Sequence, residues 1–201
     1  MAISYRDWHI PFRQDTVTLR QARENMALVR ANEDEIPLMV QLVENPKFQI
    51  PGIRLFHGAV DLSQHDYIHI LLGRGLLDKD EAFTIGFTMG STNRVTSTEE
   101  NLYALITRYL YPRVYQFDDE SIAVFKNAVR LAYISSCVAL DEFDFTPHLD
   151  IPLYELRNIV GLEEKLLLAY YEIEKQRYPH ARDSRRLLDQ VSEFVDLQKV
   201  S

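Results

Sequence analysis

Within the segment QHDYIHILLGRGLLDKDEAF, residues 64–83, His65 and His69 stand four apart. On a helix that spacing puts both imidazoles on one face, one turn apart, which is the separation two rings need to reach a common metal ion. Asp66 adjoins His65 and borders the same surface, where it can ligate directly or fix a ring tautomer. Glu81 follows His69 after eleven residues, and the intervening Gly73-Arg74-Gly75 lets the chain reverse and carry Glu81 back toward the histidines. Two imidazoles with one or two carboxylates form an N/O donor set for one divalent metal, zinc first, with iron or manganese as alternatives. A lone HxxxH pair is often ordinary helix packing. The adjacent aspartate and the glutamate just past a tight turn shift the weight to a metal site at His65, Asp66, His69 and Glu81.

Other residues near the motif invite a role. Arg74 lies between two glycines, where a guanidinium could clamp a substrate carboxylate or phosphate, or simply end a helix at the surface. His57 precedes Gly58 and could line the site as a substrate-binding residue, against the plainer reading of a loop histidine bonded to backbone. Asp80 is read as a helix-start charge. Asp141, Glu142 and Asp144 are read as a solvated acidic turn, and His9, His148 and His180 as non-ligands. Phe83, Ile85, Phe87 and Met89 are read as core, although such a wall could also hold an isoprenoid chain.

Helices must position these groups. The apolar periodicity predicts helices over 17–30 and 35–44, then a Pro- and Gly-containing loop over 46–58. The histidine helix is predicted over 61–72, capped by Asp61 or Ser63 and ended by a left-handed glycine at Gly73. The next is predicted over 78–89, opened by Asp78 and Asp80 and ended by Gly90. Further helices are expected from Thr98 to Tyr111, from Asp118 to Val138, from Pro152 to Gly161, over 162–177 and over 183–197. Strand signals are poor, with Arg54–Phe56 the best candidate. The expected architecture is all-α, an irregular multi-helix bundle forming a single domain over 1–201. The metal site falls within 57–90, and 183–197 is read as an appended C-terminal helix.

The 201 residues carry a net charge of −8, 46% hydrophobic and 26% charged residues, 11 Tyr and 10 Phe. That composition supplies a core without staples. The acidic balance argues against nucleic acid as a partner. The single cysteine, Cys137, excludes an intramolecular disulfide framework and any Cys-rich zinc site. No apolar run reaches a bilayer-spanning length and the start lacks a signal core, so the expected location is cytoplasmic, with peripheral membrane contact left open.

The string His65-Asp66-x-x-His69, eleven residues, then Glu81 resembles the metal-binding signature of the coenzyme Q (ubiquinone) biosynthesis protein 4 family. A second segment, IPLYELRNIVGL at 151–162, resembles that family's proline-led helix with a Leu-Arg pair. The lead-in GAVDLSQ and the stretch FTIGFTMGS differ from the family's usual basic, aromatic lead-in and additional carboxylate. The resemblance implies an all-helical fold, zinc at His65, Asp66, His69 and Glu81, and an apolar pocket for a polyprenylated ring. It implies a role in ubiquinone assembly, as an organiser of a biosynthetic complex and as a metal-dependent lyase in oxidative removal of a ring carboxylate. Homo-oligomers are compatible with it.

Three other functions compete. A helical metal-dependent phosphohydrolase would use His57, His65-Asp66 and Asp141 around a metal. A di-iron bundle oxygenase needs two carboxylate-x-x-His units on separate helices, and only Asp66-x-x-His69 is present. A metal-stabilised binding protein would have no catalysis at all.

Overall fold

The histidine helix starts where the sequence says it should. Asp61 is extended, and its side chain accepts a hydrogen bond from the Gln64 amide at 2.9 Å, satisfying an amide the first turn leaves unpaired. It ends at Gly73, whose φ of 66° and ψ of 37° are left-handed. A β-carbon there would stand 2.7 Å from the Phe12 backbone, so glycine is required twice over.

The computed structural model describes residues 8–27 and 56–188. Among them are helices α1 (Leu19–Ala27), α2 (Leu62–Leu72), α3 (Asp78–Ser91), α4 (Ser97–Tyr109), α5 (Asp119–Ile134), α6 (Leu153–Ile159), α7 (Glu164–Arg177) and α8 (Arg182–Arg185). Short 3-10 turns lie at Arg113–Tyr115 and Thr146–His148. The described residues contain no strand, only an isolated bridge between Thr18 and Pro152, and the all-α expectation stands. No described helix is long and apolar enough to cross a membrane. The predicted helix over 35–44, most of the Arg54–Phe56 strand candidate and the end of 183–197 lie outside the described residues. The start of that last segment is built into the core rather than laid on it: Asp183, Ser184 and Leu187 are buried.

Two boundaries differ from expectation for clear reasons. Helix α3 does not stop at Gly90 but runs on to Ser91. Gly86 and Gly90 sit inside it, one turn apart, facing α5. A β-carbon at Gly86 would fall on the Phe125 carbonyl oxygen, and one at Gly90 on that of Val129. Both glycines therefore serve close backbone approach, with Ala128 and Ala132 completing the contact from α5. Helix α5 ends at Ile134, short of the expected Val138, because Ser135 turns extended and Val138 instead donates its amide to Val160.

The C-terminal end of α2 is buried, so its carbonyls cannot turn to water. Arg157 from α6 donates to Leu71 O at 2.9 Å and to Phe12 O at 2.5 Å. The Tyr171 hydroxyl from α7 donates to Leu72 O at 2.5 Å, and His9 Nε2 reaches Gly73 O at 3.1 Å. Burial, helped by the Arg186 guanidinium, pulls the His9 imidazole from 6.5 down to about 4, against the opposing pull of Asp80.

Ala substituted at Gly86 or Gly90 must push α3 and α5 apart. The overpacking should outweigh the ~1 kcal/mol helix-propensity gain and leave each variant destabilised by about 1–2 kcal/mol in urea unfolding. His9 binds its proton more weakly folded than unfolded, so stability present above pH 6.5 is lost as pH falls toward 4. Metal-free protein should lose about 2 kcal/mol between pH 7 and pH 5 through this group. In His9→Gln, which keeps a donor for Gly73 O, that increment should vanish from the urea midpoints.

Candidate metal centre

Helix α2 places His65 and His69 on one face, with ring centroids 4.6 Å apart. The Gly73–Leu77 reversal then returns the chain, and the first turn of α3 presents Glu81 to both rings. His65 Nε2 lies 3.0 Å from Glu81 Oε2, His69 Nε2 lies 3.2 Å from the same oxygen, and the two Nε2 atoms are 2.8 Å apart. Among the described residues this trio is the group whose ligand atoms converge as a metal site would need.

The triangle is poorly satisfied by protons alone. Each imidazole has at most one proton on Nε2 and the carboxylate oxygen only accepts, so the three edges cannot all be hydrogen bonds. A cation inside it would engage a lone pair from each of the three atoms at once. Tetrahedral bonds of roughly 2.0–2.2 Å set ligand atoms ~3.3–3.6 Å apart, so the trio would open by a few tenths of an ångström around an ion. Two nitrogens and one oxygen fit zinc, iron or manganese, and three protein ligands leave a coordination position for a further group.

Exposure is graded across the site. The His69 side chain is 1% exposed, that of His65 14% and that of Glu81 35%, so the solvent side of the trio is that of Glu81. Burial acts to raise the Glu81 carboxyl, but the charge of His69 and hydrogen bonds from both rings hold it well below the usual carboxylate range. Glu81 is thus a ready anionic ligand. Behind the site, the buried Thr84 hydroxyl lies 3.3 Å from His69 Nδ1. Accepting a proton there would leave the Nε2 lone pair free for metal. Sequence reading missed Thr84, although its position three after Glu81 puts it on the same face of α3.

The other expected site residues go elsewhere. Asp66 is buried but turned about 100° around the helix from His65. Its Oδ2 faces the Arg23 guanidinium on α1 at 3.9 Å, away from the converging trio. Arg74 is not at a substrate face. It is fully buried in a two-pronged pair with Glu174 at 2.9 and 2.7 Å, between the rings of Phe83 and Tyr171. The flanking glycines bring it inward rather than toward a ligand, and the anion-clamp expectation is corrected. Asp80 accepts from the Leu77 amide at 3.1 Å and pairs with Arg186, so it is a helix-start charge with a buried partner. His57 does border the site: it lines, with His65, Ile85 and Met89, a cavity of about 20 Å³. Asp141 lines a different cleft, with Asp61, Gln64 and Tyr67.

Replacing Thr84 with Val should lower zinc affinity about 10- to 100-fold, read by chelator competition, through loss of ring orientation. Asp66→Asn should stay within about threefold of wild type, since its carboxylate is not in the trio; a loss as large as that of His69→Ala would return Asp66 to the ligand set. Comparison with known proteins found no matching family model, no matching curated protein and no matching solved structure.

Proposed function

We propose that this protein binds one divalent metal, zinc in the first instance, through His65, His69 and Glu81, and uses it to hold the polar end of an apolar ligand. The observation that carries this reading is the triangle of two imidazole nitrogens and one carboxylate oxygen with edges of 2.8, 3.0 and 3.2 Å. The metal would act as a Lewis acid toward a carboxylate or phenolate at the open position. The walls beside it are apolar: Phe56, Val60, Ile85 and Met89 line the neighbouring cavity.

The motif resembles that of the coenzyme Q biosynthesis protein 4 family, and this favours a polyprenylated ring bearing a carboxylate as the ligand class. On that reading the protein is a metal-dependent decarboxylase or an organiser that presents such a ring to partner enzymes, and it touches a membrane surface where these substrates reside. The small cavity admits about one water-sized group, so a ring would need the Phe56–Val60 wall to yield. The phosphohydrolase alternative has less support: His57 and Asp141 line separate cavities, and Asp66 faces Arg23. A non-catalytic metal-stabilised binding protein is the second reading, favoured by the near-total burial of His69.

The test is metal content together with ligand capture. Purified protein should carry close to one equivalent of zinc, iron or manganese by plasma mass spectrometry, and His69→Ala should carry almost none. A carboxylated prenyl-phenol should bind the loaded protein and lose at least tenfold in affinity after chelation. Absence of stoichiometric metal ends the reading. If His69→Ala unfolds, the metal is structural; if it folds without binding the ring, the metal holds the ligand.

A further inference from the structure

The cavity beside His65 has a second imidazole in its wall, and that imidazole is oriented by a carboxylate. His57 Nδ1 lies 2.8 Å from Glu99 Oε1, and the same oxygen accepts the His57 amide at 3.2 Å. Glu99 Oε2 accepts from the Thr96 amide at 3.1 Å and from the Thr96 hydroxyl at 3.2 Å. Burial opposes the charge on Glu99, but these bonds hold its carboxyl below the ordinary value. An ionised partner favours the tautomer of the neutral ring that has its proton on Nδ1 and its lone pair on Nε2.

The turn that carries the ring is anchored at both ends. Glu99 ties it to the first turn of α4, and Gly58, with φ of 83°, presses the following turn against α3, where a β-carbon would stand 2.7 Å from Met89 Cα. Glu99 is the described partner of the ring, and 30% of the His57 side chain remains open to solvent. His57 therefore borders both bulk water and a cavity shared with His65 that has room for about one water.

We propose that His57, oriented by Glu99, is the proton relay of the metal centre. Its Nε2 takes a proton from the group or water held in the cavity beside His65 and passes it to bulk solvent, and the reverse path returns it. The Nδ1 proton stays on the His57 ring, donated to Glu99 Oε1, throughout, and no electron transfer is involved. This rests on the metal-centre reading above. Thr96 and Glu99 form a capping box at the start of α4, and the same carboxylate also serves His57.

The relay can be separated from a helix-end staple with zinc-loaded protein and 4-nitrophenyl acetate as the probe. His57→Gln keeps an amide donor for Glu99, so the turn stays anchored. It should lower the zinc-dependent hydrolysis rate at least tenfold, leave the zinc dissociation constant within about threefold, and recover rate when imidazole is added to the buffer. In long-range nitrogen–proton spectra the wild-type His57 ring should be a single tautomer protonated on Nδ1, and Glu99→Gln should convert it to a mixture. Wild-type rate in His57→Gln, or no rescue by imidazole, overturns the relay in favour of a staple. A tenfold or greater loss of zinc affinity in His57→Gln overturns it in favour of a ligand. Zinc-loaded wild type with no zinc-dependent hydrolysis overturns the relay alone, whereas a wild type that takes up no zinc removes the metal centre with it.

Discussion

The C-terminal end of the histidine helix is where most of the architecture meets. Helix α2 ends in the interior, and a buried helix end leaves carbonyls that must find donors or be destabilising by about 1–3 kcal/mol each. Three distant segments supply them: Arg157 on α6, the Tyr171 hydroxyl on α7 and His9 from the N-terminal stretch. Arg157 brings a positive charge to the negative end of the helix dipole, which offsets part of the cost of burying a guanidinium. Burial still draws its pKa down, to about 10, so it remains charged at neutral pH. Fixing that end fixes the rotation of α2 about its axis, and with it the direction in which His65 and His69 point.

The partner helix is held by a different device. Gly86 and Gly90 let α3 approach α5 until backbone meets backbone, a contact that tolerates neither sliding nor rotation. At its start, α3 is tied to the end of the described chain: the Lys79 amide donates to Asp183 at 3.0 Å, and Arg186 pairs with Asp80. The buried Arg74–Glu174 pair locks the reversal between α2 and α3 onto α7, with Ser184 bonding the same glutamate at 3.0 Å. Such a pair adds little net stability over apolar side chains, but leaving one partner alone is strongly unfavourable, so it selects one arrangement of the turn. Glu81 is carried to the histidines by this frame.

Rigidity of that kind gives the three donor atoms their short separations. A site assembled on two helices and a locked turn keeps its ligands within a few tenths of an ångström, and it keeps them there even though protons alone leave one edge of the triangle unsatisfied. Exposure falls from Glu81 through His65 to His69, so the solvent side of the trio is that of Glu81. Beside His65 the turn at Phe56–Val60 adds apolar walls and the Glu99-bound imidazole of His57.

Local chemistry was legible without coordinates. The i, i+4 histidines, the Asp61 cap, the left-handed Gly73 and the return of Glu81 after a glycine turn follow from spacing and backbone sterics, which act within a few residues. The all-α class follows from periodicity for the same reason. What the chain alone left undecided depends on which distant residue arrives beside a group. Asp66 shares the motif but is turned toward Arg23, and Arg74 looks like a free cation until Glu174, a hundred positions on, closes over it. Gly90 reads as a helix stop because glycine disfavours helix, whereas the close approach of α5 overrides that preference. Thr84 behind His69 and Glu99 behind His57 become visible only once packing has brought helices together, since a hydrogen bond between segments has no periodicity to reveal it.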